Sequence, residues 1–76
     1  MAKILLVDDE PNIRLLFSEV LTDEGHQVLE AENEREAFEV LEREPLDLVI
    51  LDIRLKGESG LDILQKVVAQ YPHIPV

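Results

Sequence analysis

No cysteine occurs in the 76 residues, which excludes disulfides, thiolate metal sites and cysteine nucleophiles and suits a reducing cytoplasm. Basic residues are scarce: seven Lys and Arg stand against seventeen Asp and Glu, for a formal net charge of −10. A surface of that sign repels phosphate backbones and anionic lipid, so nucleic-acid or membrane binding by this segment is not expected. Long apolar runs are missing as well. None approaches the roughly 18 residues of a membrane span, and the apolar stretch after Met1, Ala2 and Lys3 is too short for a signal peptide. There is no internal repeat and no low-complexity tract. The expectation is one small cytoplasmic domain whose single core buries roughly 60% of the unfolded surface.

What the chain does have is two short apolar runs that end in acids. Leu48, Val49, Ile50 and Leu51 suit a strand buried on both faces of a parallel sheet, and Asp52 follows at once. Ile4, Leu5, Leu6 and Val7 repeat the pattern, followed by Asp8 and Asp9. A carboxylate directly after such a run sits at the carboxyl edge of the sheet, where open α/β folds collect their ligands. Beyond Asp52, the stretch Lys56, Gly57, Glu58, Ser59 and Gly60 has the composition of a loop.

Helix signals separate the strands. Pro11 marks the first turn of a helix in which Ile13, Leu16, Phe17, Val20 and Leu21 recur at amphipathic spacing, and Gly25 is its expected stop. His26 to Ala31 reads as a short edge strand with Val28 and Ala31 turned inward. Asn33 with Glu36 resembles a capping box that opens a second helix, whose buried stripe is Ala37, Phe38, Val40 and Leu41. On its surface Glu39 and Arg43 form an expected i, i+4 pair, and Pro45 ends it. A third helix follows Ser59 and Gly60, with Leu61, Leu64, Val67 and Val68 predicted to face inward. Tyr71 and Pro72 close it, and His73, Ile74, Pro75 and Val76 read as the approach to a fourth strand.

Alternating strands and helices with short connections imply an α/β fold, with parallel strands, right-handed crossovers and helices on both faces of the sheet. If strands one and three are neighbours and strand two lies outside strand one, the order reverses beside strand one. The reversal opens a crevice that brings Asp8, Asp9 and Asp52 together. Three converging carboxylates repel one another unless protons or a divalent cation join them. Hard oxygen donors point to Mg²⁺, which works from one or two carboxylates together with a phosphate.

LLVDDEPNIRLLF, followed by LVILDIRL and a glycine eight residues after the aspartate, resembles the receiver domain of bacterial two-component response regulators. The resemblance runs along the whole chain, and it implies a partial flavodoxin-like sheet of order 2-1-3 with the start of strand four. It also implies that Asp52 is the phosphoacceptor, that Asp8 and Asp9 bind Mg²⁺, and that the backbone carbonyl of Arg54 completes the protein ligands. The implied partner is a sensor histidine kinase or a phosphotransfer protein, and the implied role is that of a phosphoacceptor rather than an enzyme.

Receivers run to roughly 120 residues in five strands. Residues 1–76 therefore read as a receiver truncated at its C-terminal side, with no output domain, and without the hydroxyl and lysine that the family carries after strands four and five. Lys56 stands where the family usually has proline. Signalling is expected to be impaired, and a homodimer or larger assembly is expected through the exposed sheet edge. Two other function classes fit the acids: a Mg²⁺-dependent aspartyl phosphohydrolase, and a self-assembling module without signalling. The hydrolase pattern asks for a second acid two residues after the nucleophile, where Arg54 stands. In the plainest reading Asp8 and Asp9 merely favour a helix start. His26, His73 and the glutamates from Glu30 to Glu44 are then solvated surface.

Overall fold

A computed structural model of the chain describes residues 1–52, 57 and 59–76. Its elements in order are β1 (Lys3–Val7), α1 (Pro11–Asp23), β2 (Gln27–Ala31), α2 (Glu34–Arg43), β3 (Leu48–Leu51) and α3 (Gly60–Gln70). The three strands form one parallel sheet of order β2-β1-β3, as the receiver resemblance implies. Val7 pairs with Ala31 on one side and with Leu51 on the other. Right-handed crossovers to opposite sides of β1 put α1 on one face and α2 with α3 on the other.

Strand alternation divides β1 between two layers. Leu5 and Val7 join Ala31 and Val49 against Ala37, Val40 and Leu41 of α2 and Ile63 and Val67 of α3. Ile4 and Leu6, also buried, point to the α1 side. That second layer is thin, because α1 has no buried residue and Phe17 and Val20 are 45% and 52% exposed. In β2, Val28 and Ala31 fall on opposite faces, and Ala31 belongs to the α2–α3 layer.

Local chemistry closes each helix. After α1, Gly25 adopts φ +90°, and the bonds from Gly25 N–H to Thr22 O and from His26 N–H to Leu21 O cap the last carbonyls. At α2, Asn33 Oδ1 accepts from Glu36 N–H at 2.9 Å. The return bond is shifted by one residue from the expected box, since Glu36 Oε1 accepts from Glu32 N–H. The expected Glu39–Arg43 pair is replaced: Glu39 bonds Arg35 at 3.4 Å, and Arg43 lies against Glu44.

One expectation changes. In α3 the buried residues are Gly60, Ile63 and Val67, while Leu61 and Val68 are more than half exposed. The apolar positions of α3 form two stripes. The Ile63–Val67 stripe meets the sheet, and Leu64 turns toward the outer edge of β3, where it shares an apolar groove with Leu48, Ile50 and Val76. The approach to a fourth strand lies where it is expected. Residues 74–76 run beside β3 with the bond from Val49 N–H to Pro75 O at 2.9 Å, and Ile74 is buried.

Candidate functional site

The sheet register assembles the site. Asp8 and Asp52 each lie one residue beyond the Val7–Leu51 rung, and the Asp52 amide continues the ladder by donating to Val7 O at 3.0 Å. Neighbouring strands are about 4.8 Å apart, so the first residues beyond a shared rung are necessarily close. Asp8, Asp9 and Asp52 each offer a carboxylate oxygen within 4.8 Å of the others. Asp8 is buried, and Asp9 and Asp52 are half-buried.

Asp8 is held on three sides. Its N–H donates to Ala31 O at 3.0 Å, its Oδ1 accepts from Glu10 N–H at 2.9 Å, and its carbonyl accepts from Arg14 Nη1 at 2.7 Å. The Glu10 bond is an Asx-type turn that leads into α1 at Pro11. Asp8 thus serves the helix start and the acid cluster at once, and the two sequence readings of this residue do not compete. Arg14 in turn reaches Glu30 of β2, with Nε 3.3 Å from Oε1. Neither Arg14 nor Glu30 stands out in the sequence as a site residue. The signal was an arginine on the first turns of a helix that directly follows an acid pair, and it becomes meaningful only when β2 is beside β1.

Arg54, expected to contribute its carbonyl, lies outside the described residues, as does Lys56. His26 accepts the Ala2 N–H at Nδ1 and belongs to the opposite end of the sheet from the acids. His73 is exposed in the turn after α3.

The donor set fits Mg²⁺. Oxygens on opposite sides of an octahedral Mg²⁺ are about 4.2 Å apart, and the observed bound of 4.8 Å exceeds that by less than a side-chain rotation or an intervening water supplies. All three donors are hard oxygens.

A parallel sheet of this order, with an acid cluster at the carboxyl ends of its first and third strands, is an open flavodoxin-like α/β fold. The model of the response regulator receiver domain matches residues 4–76, and the chain belongs to that family. It is 42% identical over 65 residues to sporulation initiation phosphotransferase F of Bacillus subtilis, covering 86% of this chain and 52% of that protein. It is 45% identical over 74 residues to the response regulator protein PilR of Pseudomonas aeruginosa, covering 97% of this chain and 17% of the relative. The chain therefore spans about half of the first relative and less than a fifth of the second.

Solved structures agree. The response regulator TrrA of Thermotoga maritima, in complex with Mg²⁺-BeF, superposes with a TM-score of 0.88 at 44% identity, covering 95% of this chain and 63% of the other. A structure of the histidine kinase ThkA in complex with TrrA gives a TM-score of 0.89 at 43% identity, covering 97% and 64%. Among the described residues no helix is long and apolar enough to cross a membrane.

Proposed function

We propose that this chain is the phosphoaccepting part of a response regulator, with Asp52 as the nucleophile and Asp8 and Asp9 as the cation ligands. The observation that carries this reading is the convergence of three carboxylates from two strand ends within 4.8 Å. The Mg²⁺ in the TrrA complex supports the same ion here, and the receiver resemblance adds the Arg54 carbonyl as a further ligand. When bound, Mg²⁺ would offset the charge of an incoming phosphoryl group and orient it. The ThkA–TrrA complex supports a histidine kinase as donor, with a phosphotransfer protein as the other candidate. We place the exchange in the cytoplasm, where ATP supplies the kinase.

In the reaction an Asp52 carboxylate oxygen attacks the phosphorus of a phosphohistidine. The new O–P bond forms as the P–N bond breaks, and the electron pair returns to the imidazole nitrogen, which takes up a proton. The Asp52 N–H bond to Val7 O keeps the nucleophile's backbone fixed to the central strand during the attack. Water later cleaves the acyl phosphate, restoring the carboxylate and releasing phosphate. Asp52 gains about −1.5 to −2 charge units beside two other acids, which is the perturbation a receiver transmits.

The test is intact-mass measurement after incubation with Mg²⁺ and a small phosphodonor such as acetyl phosphate. A labile adduct of one phosphoryl group, lost in Asp52→Asn, supports the reading. An adduct that persists in Asp52→Asn refutes it, and steady turnover of phosphate esters would favour the hydrolase alternative.

A second reading concerns assembly, and the outer edge of β3 favours it. An apolar groove of about 330 Å³ runs along that edge between Leu48, Ile50, Leu64 and Val76. Apolar strand edges invite pairing, and residues 74–76 lie along this one with a single bond from Val49 N–H to Pro75 O among the described contacts. The 76 residues in isolation are proposed to form dimers or larger assemblies along β3. Sedimentation at micromolar concentration that shows only folded monomer would reject this.

A further inference from the structure

Arg14 is bound directly to the backbone of the acid cluster. Asp8 lies one residue past the β1 ladder, and its N–H is paired with Ala31 O. Strand β2 has ended at Ala31, and the Asp52 N–H is committed to Val7 O. A buried carbonyl at that position needs a donor from elsewhere. Arg14 Nη1 supplies it at 2.7 Å, the guanidinium's Nε lies 3.3 Å from Glu30 Oε1, and its side chain is only 17% exposed.

We infer that Arg14 is a positioning residue for the acid cluster, and that Glu30 holds Arg14 in place. The inference rests on the cation-binding reading above. The carbonyl that Arg14 holds belongs to the peptide joining Asp8 to Asp9, so rotation of that peptide would swing both carboxylates relative to Asp52. Arg14 itself is fixed to the start of α1, where its N–H donates to Glu10 O at 3.0 Å. Three elements, β1, α1 and β2, are thereby tied to one guanidinium. A planar fork does this better than an ammonium, which donates as a point charge.

The sign of the effect separates positioning from simple electrostatics. As a mere positive charge near the cluster, Arg14 would oppose Mg²⁺, and its removal would tighten binding. As a positioning residue it favours Mg²⁺, and its removal weakens binding.

The experiment is calorimetric titration of Mg²⁺ into the 76-residue chain, with amide NMR spectra to confirm the fold of each variant. Arg14→Ala is expected to weaken Mg²⁺ binding roughly tenfold, the lower end of what loss of an outer-shell partner costs. Arg14→Lys should recover part of that loss, and Glu30→Gln should show a smaller loss than Arg14→Ala. Unchanged or tighter binding in a folded Arg14→Ala overturns the inference. If Arg14→Ala does not fold, Glu30→Gln decides it, and unaltered affinity there overturns it. A wild-type response that Asp9→Asn abolishes but Arg14→Ala preserves overturns positioning alone. A wild-type chain without any Mg²⁺ response overturns the cation reading and the inference together.

Discussion

The N–H of Asp52 donates to the carbonyl of Val7 at 3.0 Å, and this bond brings two acid-ended segments 44 positions apart to the same edge of the sheet. The parallel register of β1 and β3 holds Asp52 beside Asp8, and Asp9 follows from the chain. Without a cation, three carboxylates are concentrated at the carboxyl end of a small sheet.

That concentration has a cost in the metal-free protein. Asp8→Asn removes one charge while its amide oxygen can still accept the Glu10 N–H. Two unit charges about 4 Å apart repel by about 1 kcal/mol even in water. The variant is therefore expected to melt a few degrees higher than wild type in chelator, on the scale of about 4–8 °C per kcal/mol for a domain of this size. Added Mg²⁺ should raise the wild-type midpoint more than that of the variant. A lower midpoint for Asp8→Asn in chelator would contradict the repulsion.

The other end of the sheet carries the acid-sensitive contact. Lys3 Nζ lies 2.7 Å from Glu44 Oε1, and this hydrogen bond, with the charge behind it, holds the Glu44 carboxyl below its ordinary value of 4.5. As pH falls, Glu44 of the unfolded chain takes up its proton first. The contact's contribution is complete above the ordinary carboxylate value and is lost as pH falls through the lower folded value. Urea midpoints of wild type and Glu44→Gln should therefore differ at neutral pH and converge in acid. A gap that does not change with pH would count against this linkage.

Helix capping predicts a ranking. Asn33 Oδ1 accepts from Glu36 N–H at 2.9 Å, whereas Ser59 Oγ is 3.3 Å from Asp62 N–H. Asn33→Ala should cost about 1 kcal/mol in denaturant unfolding, and Ser59→Ala less. The reverse order would show that the bond lengths do not govern these caps.

Core packing predicts the largest loss. Ile63 is 1% exposed and lies on the α3 stripe that meets the sheet, while Val68 is 52% exposed. Ile63→Ala should cost about 2–5 kcal/mol, enough to unfold much of a small domain. Val68→Ala should cost far less. Equal effects would restore the inward face read from the sequence, which placed Val68 inside and did not include Ile63.

The α3 discrepancy shows where reading a sequence stops. Leu61, Leu64 and Val68 keep helical spacing as well as Ile63 and Val67 do, and periodicity alone cannot rank two stripes on one helix. The choice depends on which side meets Val49 and which side hangs over the strand edge. The Glu39–Arg43 pair failed for a similar reason, since Glu39 has arginine four residues away in both directions.

Residue order by itself determined the alternation of strands and helices, the caps at Gly25 and Asn33, and the placing of acids at two strand ends, because these follow from local backbone chemistry and apolar runs. The order β2-β1-β3, and with it the sheet edge that Asp8 and Asp52 share, was implied by the receiver resemblance, whereas tertiary structure alone decided that Ile63 rather than Val68 meets the sheet and that Arg14 links Asp8 to Glu30. Those contacts join residues distant in the chain, and register between strands depends on how whole faces pack rather than on any one segment.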